Sequence, residues 1–165
     1  MMKRKSHFVL PMLVLAAVLV MDSGCRQDRP KGFPKTYPCS VTLTQEGAPA
    51  AGIRVFFYAK GESCPWTIGG ETDSGGVAKM KTHGRFDGVP KGTFSVVLEK
   101  TETEGGAVQN ERNPLSREEM EESKSYTLVN SEYTKMETTP IEITVGGKTS
   151  ETYEIGPAVR ELMEE

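Results

Sequence analysis

Histidine is scarce in this chain, and its scarcity excludes most kinds of catalytic centre. The 165 residues include only His7 and His83, together with three cysteines and one tryptophan. A zinc site draws three or four ligands from cysteine, histidine and carboxylate side chains. A serine hydrolase needs a histidine and a Gly-x-Ser-x-Gly elbow, and the sequence contains no such elbow. We therefore expect no catalytic residues, no bound metal and no cofactor.

A long apolar run is also missing. The apolar segment Phe8–Met21 has 14 residues, whereas a helix needs about 20 to cross a bilayer. It follows a basic start and precedes Ser23-Gly24-Cys25, the order of a bacterial lipoprotein signal. The sequence therefore predicts a signal peptide over residues 1–24, cleaved before a lipidated Cys25. An ordinary secretory signal with Cys25 as a spare thiol is the alternative, because Asp22 stands where leucine is usual.

The predicted mature chain has no excess of positive charge. Without the signal, 17 basic and 22 acidic residues remain of the 20 and 23 in the full sequence, a net charge of about −5. Nucleic acid and anionic membrane surfaces both attract basic faces, so the composition disfavours both as partners. Stable membrane attachment would come from the acyl chains on Cys25. Because Arg26 rather than aspartate follows Cys25, we expect a lipid-anchored protein of the outer membrane, on its periplasmic face or at the cell surface.

Two cysteines remain when Cys25 is set aside. An even number of cysteines in an oxidising compartment is typical of a disulfide, so Cys39 and Cys64 are predicted to form one. The alternative is two separate buried thiols, because the sequence does not show whether the two Cα atoms come within bridging distance.

Short stretches of alternating apolar and polar residues dominate the chain after residue 38. Such alternation predicts half-buried strands, as in Gly52–Tyr58, where Ile53, Val55 and Phe57 share one face. The predicted strands lie near residues 41–44, 52–58, 67–72, 77–82, 93–100, 141–145 and 153–155. About seven short strands separated by turns predict an all-β fold, a single seven-stranded β-sandwich, with a β-barrel as the structural alternative.

The predicted domain is flanked by two shorter segments. Residues 25–38 are polar and proline-rich, which is typical of an extended tether, and residues 157–165 form a short tail with helical character. The sandwich domain spans 39–156 and contains a loop-and-helix insertion at 101–132. Within the insertion, Thr101–Asn113 is predicted to be a loop and Leu115–Lys124 a short helix, whose Ser116 and Glu119 form a capping box.

Aromatic residues provide the one candidate binding site. Trp66, Tyr58 and Phe56 could form a platform for a sugar or a peptide, because aromatic rings supply apolar area with a polar edge. Trp66 follows Cys64-Pro65 in a predicted loop, where binding residues are often found. The alternative is that Trp66 covers the open end of the core.

Several turn motifs have the spacing of a known domain family. They are Gly47-x-Pro49 between two strands, Asp73-Ser74-Gly75-Gly76 before a strand, Gly88-x-Pro90-x-Gly92, and Tyr133 followed by Thr139-Pro140. In this combination, residues 39–155 resemble the small lipoproteins of planctomycete-type bacteria whose domain is similar to the carboxypeptidase regulatory-like (transthyretin-like) sandwich. The resemblance implies a fold and an envelope location, and it implies no catalytic residues.

From these observations we expect an exported, lipid-anchored β-sandwich that acts as a structural or protein-interaction module without catalysis. The alternative function is a carbohydrate- or peptide-binding module that uses the aromatic loop around Trp66. The expected partners are the membrane, through lipidated Cys25, and an envelope protein or a glycan.

Overall fold

The computed structural model describes residues 29–61, 64–105 and 124–163. The predicted signal peptide, Cys25 and most of the predicted helix Leu115–Lys124 lie outside these residues. The chain divides into two compact units, residues 1–33 and 34–165. In the described part of the first unit, the Phe33 N–H donates to the Pro30 carbonyl at 3.0 Å and closes a turn. Across the three described ranges, no helix has the length and apolar character to cross a membrane.

In the described residues of the second unit, the regular structure consists of short strands and one 3₁₀ helix, Ser131–Tyr133. In chain order, the strands are β1 Thr36–Tyr37, β2 Cys39–Gln45, β3 Ala48–Pro49, β4 Arg54–Ala59, β5 Ile68–Glu71, β6 Val77–Lys79, β7 Lys81–Thr82, β8 Phe86–Asp87, β9 Val89–Pro90, β10 Gly92–Glu99, β11 Thr101–Glu104, β12 Lys124–Thr127, β13 Glu142–Val145, β14 Thr149–Glu154 and β15 Glu161–Leu162.

Two main sheets share one hydrophobic core. The larger has six strands in the order β13-β10-β4-β5-β7-β8, and the smaller has the order β14-β2-β3, with β6 also paired to β2. The core cluster contains Val41 and Leu43 from the smaller sheet and Val55, Val96 and others from the larger one. Complete burial of a side chain of this size contributes about 1.5–3 kcal/mol. The predicted all-β, sandwich-like character is therefore confirmed.

Period-two alternation assigned the inward faces correctly. Ile53, Val55 and Phe57 are buried, whereas on the opposite face Arg54 and Tyr58 are exposed and Phe56 is half-buried. Strand β10 departs from simple alternation, because all five residues from Phe94 to Leu98 are buried. A strand in the interior of a sheet is covered on both faces when other segments pack over it.

Within the described residues, the chain passes between the two main sheets at four places, namely β3–β4, β5–β6, β6–β7 and β13–β14. Residues 77–82 form β6 in the smaller sheet and β7 in the larger one, with buried Met80 between them. Gly146-Gly147 lies in the passage between β13 and β14. These two strands do not pair with each other, because β13 belongs to the larger sheet and β14 pairs in parallel with β2 of the smaller one.

Two segments differ from their predicted conformations. Thr101–Glu104, predicted to begin a loop, is strand β11, and it pairs with β12. Glu161–Leu162, in the tail that was predicted to be helical, is strand β15 on the other side of β12. The C-terminal residues form a strand because Arg160 contacts the neighbouring strands. Its guanidinium carbon lies 3.7 Å from the Tyr126 ring centroid, and it forms ion pairs with Glu102 and Glu104. Contacts between distant segments therefore override the local helical pattern.

Candidate functional site

The outer side of β4 provides two of the three predicted aromatic residues. Phe56 and Tyr58 alternate with buried Val55 and Phe57, so their rings point away from the core. Gly69 on β5 lies opposite Phe56. A Cβ at Gly69 would be 3.3 Å from Cδ1 of the Phe56 ring, so glycine leaves room for the ring to lie over the backbone of β5. Tyr58 remains 46% exposed.

The third aromatic residue, Trp66, comes from the loop before β5. Its ring meets the His83 ring edge-on, with centroids 5.3 Å apart and an interplanar angle of 76°. His83 has a left-handed backbone with φ of 56°, and its N–H donates to the Thr67 carbonyl at 2.6 Å. The turn after β7 therefore holds both the backbone and the indole of the Trp66 loop.

These residues converge on a cleft of about 400 Å³, which we call the aromatic cleft. Tyr58 and Trp66, which were predicted to form one site, both line it, as does Phe56. Its remaining lining includes Cys64, Pro65 and Met136. Met136 is 46% exposed and was not identified from the sequence. It lies 70 residues beyond Trp66 in the chain, and no local pattern marks it as part of the site.

The predicted disulfide is absent, because Cys39 and Cys64 are both free thiols. The fold places them in different surroundings. Cys39 is buried at the start of β2 and lines a second cleft with Pro38 and Thr149, whereas half-buried Cys64 lines the aromatic cleft. The Cys64 thiol donates to the Trp66 carbonyl at 3.6 Å. An even count of cysteines in the sequence could not reveal this separation.

Burial controls the chemistry of Cys39. It raises the pKa of the Cys39 thiol to about 11, and the carboxylate of Glu151 adds to the rise. The thiolate is the nucleophilic form of cysteine, so Cys39 is protonated and unreactive at neutral pH. Among the described residues, no three His, Cys, Asp or Glu side chains are grouped so that they could hold a metal ion.

Comparison of the chain with models of known protein families, with curated proteins and with solved structures finds no match. The geometry of the aromatic cleft itself indicates what it can bind. It is open, largely apolar in its side chains, and rich in aromatic rings. Such a surface can accept an apolar side chain or the face of a sugar ring.

Proposed function

We propose that this protein is an exported, lipid-anchored component of the cell envelope that binds a partner protein through the aromatic cleft without catalysing a reaction. The observation that carries the binding role is the convergence of Tyr58, Trp66 and Met136 on one open cleft. Aromatic residues and methionine are enriched at protein interfaces, and methionine adapts its shape to different partners. An apolar or aromatic side chain of the partner would fill the cleft.

The surroundings of the nucleophilic groups support a binding role rather than catalysis. The buried Cys39 thiol has a raised pKa, and the His83 ring packs against Trp66. General acid–base catalysis needs a titrating group within hydrogen-bond reach of the proton that it transfers. Cys39 and His83 both lie outside the lining of the aromatic cleft.

We also propose that Cys25 carries the lipid, that the protein resides at the outer membrane, and that the fold belongs to the seven-stranded, carboxypeptidase regulatory-like type. The spacing Gly88-x-Pro90-x-Gly92 supports the last point. It leads directly into β10, which is the longest strand, with eight residues. The apolar N-terminal segment and the residues before Cys25 support the anchor.

Site-specific crosslinking tests the binding role. Benzoylphenylalanine in place of Tyr58 should give discrete protein adducts in intact cells, and Trp66→Ala in the same chain should abolish them. The matched control places the crosslinker at Leu162, which is 56% exposed on β15 and outside the cleft lining. Identical adducts from both positions, or adducts from position 58 that survive Trp66→Ala, would contradict the proposal.

Carbohydrate is the second candidate ligand, favoured by the exposed Tyr58 ring beside Trp66. A glycan array probed with wild-type protein should then show hits that Trp66→Ala removes while its melting temperature is unchanged. An array without hits rules this candidate out.

Intact mass spectrometry tests the anchor. Protein from the membrane fraction should have the mass of residues 25–165 plus acyl chains, and globomycin should block its maturation. An unmodified mass in the soluble fraction would contradict lipidation of Cys25.

A further inference from the structure

Four lysines collect at the end of the domain where the chain enters it. The Nζ atoms of Lys35 and Lys91 lie 5.3 Å and 5.4 Å from the centroid of the Tyr37 ring. Lys79 and Lys148 line a cleft of about 300 Å³, which is also lined by Pro38, the residue after Tyr37. We call these four side chains the lysine surface.

Strand pairing explains why these residues meet. Tyr37 of β1 pairs with Val89 of β9, two residues before Lys91. Gly92, which follows Lys91, pairs with Val145 at the end of β13. Thr149, which follows Lys148, pairs in parallel with Cys39. Strand pairing thus brings Lys35 and Lys148, which are 113 positions apart in the sequence, to one end of the sandwich.

The fold does not neutralise these charges. Lys35 and Lys91 lie over the ring of Tyr37, a cation–π arrangement that leaves the positive charge in place. None of the four forms an ion pair with a residue in the part of the chain that the structure describes. Asp87 lines the same cleft as Lys79 and Lys148, and the Glu151 carboxylate acts on Cys39 in its wall. The four lysines still outnumber these two carboxylates.

We propose that the lysine surface docks onto the anionic phospholipid headgroups of the membrane. This inference rests on the proposed anchorage of the chain and does not depend on the aromatic cleft. Thr36 lies eleven positions after Cys25, a reach of at most about 40 Å for an extended chain. A lipid on Cys25 would therefore keep this end of the domain near the bilayer. Lysines near an anionic surface are attracted within a Debye length of it, which is about 10 Å at 0.1 M salt.

The lysine surface suits the phosphates of a headgroup layer better than a single soluble anion. Four ammonium groups that form no ion pair with a described residue lie just before β1, on β6, in the β9–β10 turn and in the β13–β14 turn, an arrangement that suits an extended array of phosphates. Each lysine near the surface strengthens binding about fivefold. Removing two of the four therefore weakens docking about 25-fold.

The test uses the full chain purified from membranes and reconstituted into vesicles. One set contains phosphatidylcholine alone, and the other contains equal amounts of phosphatidylcholine and phosphatidylglycerol. Acetylation of each lysine by an amine-reactive ester is followed by mass spectrometry. We expect Lys35 and Lys91 to react about fivefold more slowly on the anionic vesicles than on the neutral ones, while Lys100, at the other end of β10, reacts equally on both.

Lys79→Gln/Lys148→Gln should remove this slowing, since both lysines are exposed and make no ion pair with a described residue. The control, Arg54→Gln/Lys100→Gln, removes the same charge from the opposite end of the domain and should retain the slowing at Lys35 and Lys91.

Three results would overturn the inference. The first is equal acetylation on both kinds of vesicle, and the second is slowing that survives in Lys79→Gln/Lys148→Gln. The third is equal slowing by inorganic phosphate without vesicles, which would indicate a site for soluble anions. Flotation on phosphatidylcholine alone reports the anchor separately. Flotation only on anionic vesicles, with slowing intact, would support the lysine surface while contradicting the anchor.

Discussion

The two ends of the sandwich use charged side chains differently. At one end, Lys79 and Lys148 line an open cleft and make no ion pair within the described residues. At the other end, Arg54 and Glu99 form an ion pair at 2.7 Å, and Glu154 accepts a hydrogen bond from the Thr44 hydroxyl at 2.7 Å. Charges at this second end help to hold the fold. Those at the first end contribute little to it and remain available to a partner.

Glu154 makes several hydrogen bonds at the second end. Its carboxylate also accepts hydrogen bonds from the Glu46 and Gly47 N–H groups at 2.8 Å and 3.2 Å. Both residues have positive φ, 51° and 77°, in the turn between β2 and β3. One carboxylate thus fixes a turn and joins β14 to it.

The largest expected effect concerns the stability of the end of the domain that carries the lysine surface, which we call the lysine end. Gly88 has φ of +90°, and a Cβ there would overlap the carbonyl oxygen of Tyr37. Gly88→Ala should lower the free energy of unfolding by about 3–4 kcal/mol, from backbone strain and overlap together. Urea denaturation measures the loss.

The matched control for this change is Gly84→Ala. Gly84 has φ of +66° with nothing within 4 Å of its added Cβ, so only strain of about 1–2 kcal/mol is expected. Equal losses in the two variants would mean that Tyr37 yields easily and that β1 does not fix the lysine end.

A second pair of substitutions compares buried threonines near the two ends. The Thr72 hydroxyl donates to the Ala50 carbonyl at 2.7 Å and accepts from the Ile53 N–H at 2.9 Å. The Thr82 hydroxyl donates only to the Gly88 carbonyl, at 2.7 Å. Thr72→Val should cost about 2–3 kcal/mol and Thr82→Val about 1–1.5 kcal/mol, because each orphaned polar group adds a desolvation penalty. Thermal melting checks the order, and a reversed order would contradict this account.

The third prediction concerns the pH dependence of stability. The Thr44 hydroxyl and the N–H groups of Gly47, Glu46 and Gly156 lower the pKa of Glu154. A lowered folded-state pKa means that the carboxylate stabilises the protein above the unfolded pKa and that this contribution is lost as pH falls through the folded value. Glu154→Gln should therefore flatten the decline of the urea midpoint below about pH 4.5, the ordinary glutamate range.

Glu151→Gln, on the same strand, is the control for the pH experiment. It leaves every hydrogen bond of Glu154 in place, so the acid decline should persist. A decline as steep in Glu154→Gln as in the wild type would show that the turn does not depend on this carboxylate.

The smallest expected effects come from single exposed charges. Arg54→Gln removes an ion pair whose side chains are 49% and 41% exposed, and exposed pairs contribute about 0.2–1 kcal/mol. Lys148→Gln removes no ion pair within the part of the chain that the structure describes, and it should leave the unfolding free energy unchanged. Chemical denaturation of both variants checks this. A larger loss from Lys148→Gln than from Arg54→Gln would reverse the contrast between the two ends.

The aromatic cleft could be predicted in part. Tyr58 and Trp66 are eight residues apart, and the strand-and-loop pattern around them indicated a shared site. Met136 could not be found, since it reaches the cleft only through the path of the chain after the 3₁₀ helix. The pairing of Cys39 with Cys64 was wrong because the count of cysteines contains no information about distance.

The sequence alone determined the all-β class and the inward faces of the main strands. Alternation of apolar and polar residues is a local property, and successive side chains of a strand point to opposite faces of the sheet. Tertiary structure decided where charge lies. Net charge is a sum over the whole chain, whereas a membrane surface interacts with the charges that face it. Strand pairing brings Lys35, Lys79, Lys91 and Lys148 together, and this pairing is a property of the fold. Tertiary contacts likewise placed the C-terminal residues on β12, since Arg160 finds its ion-pair partners on β11.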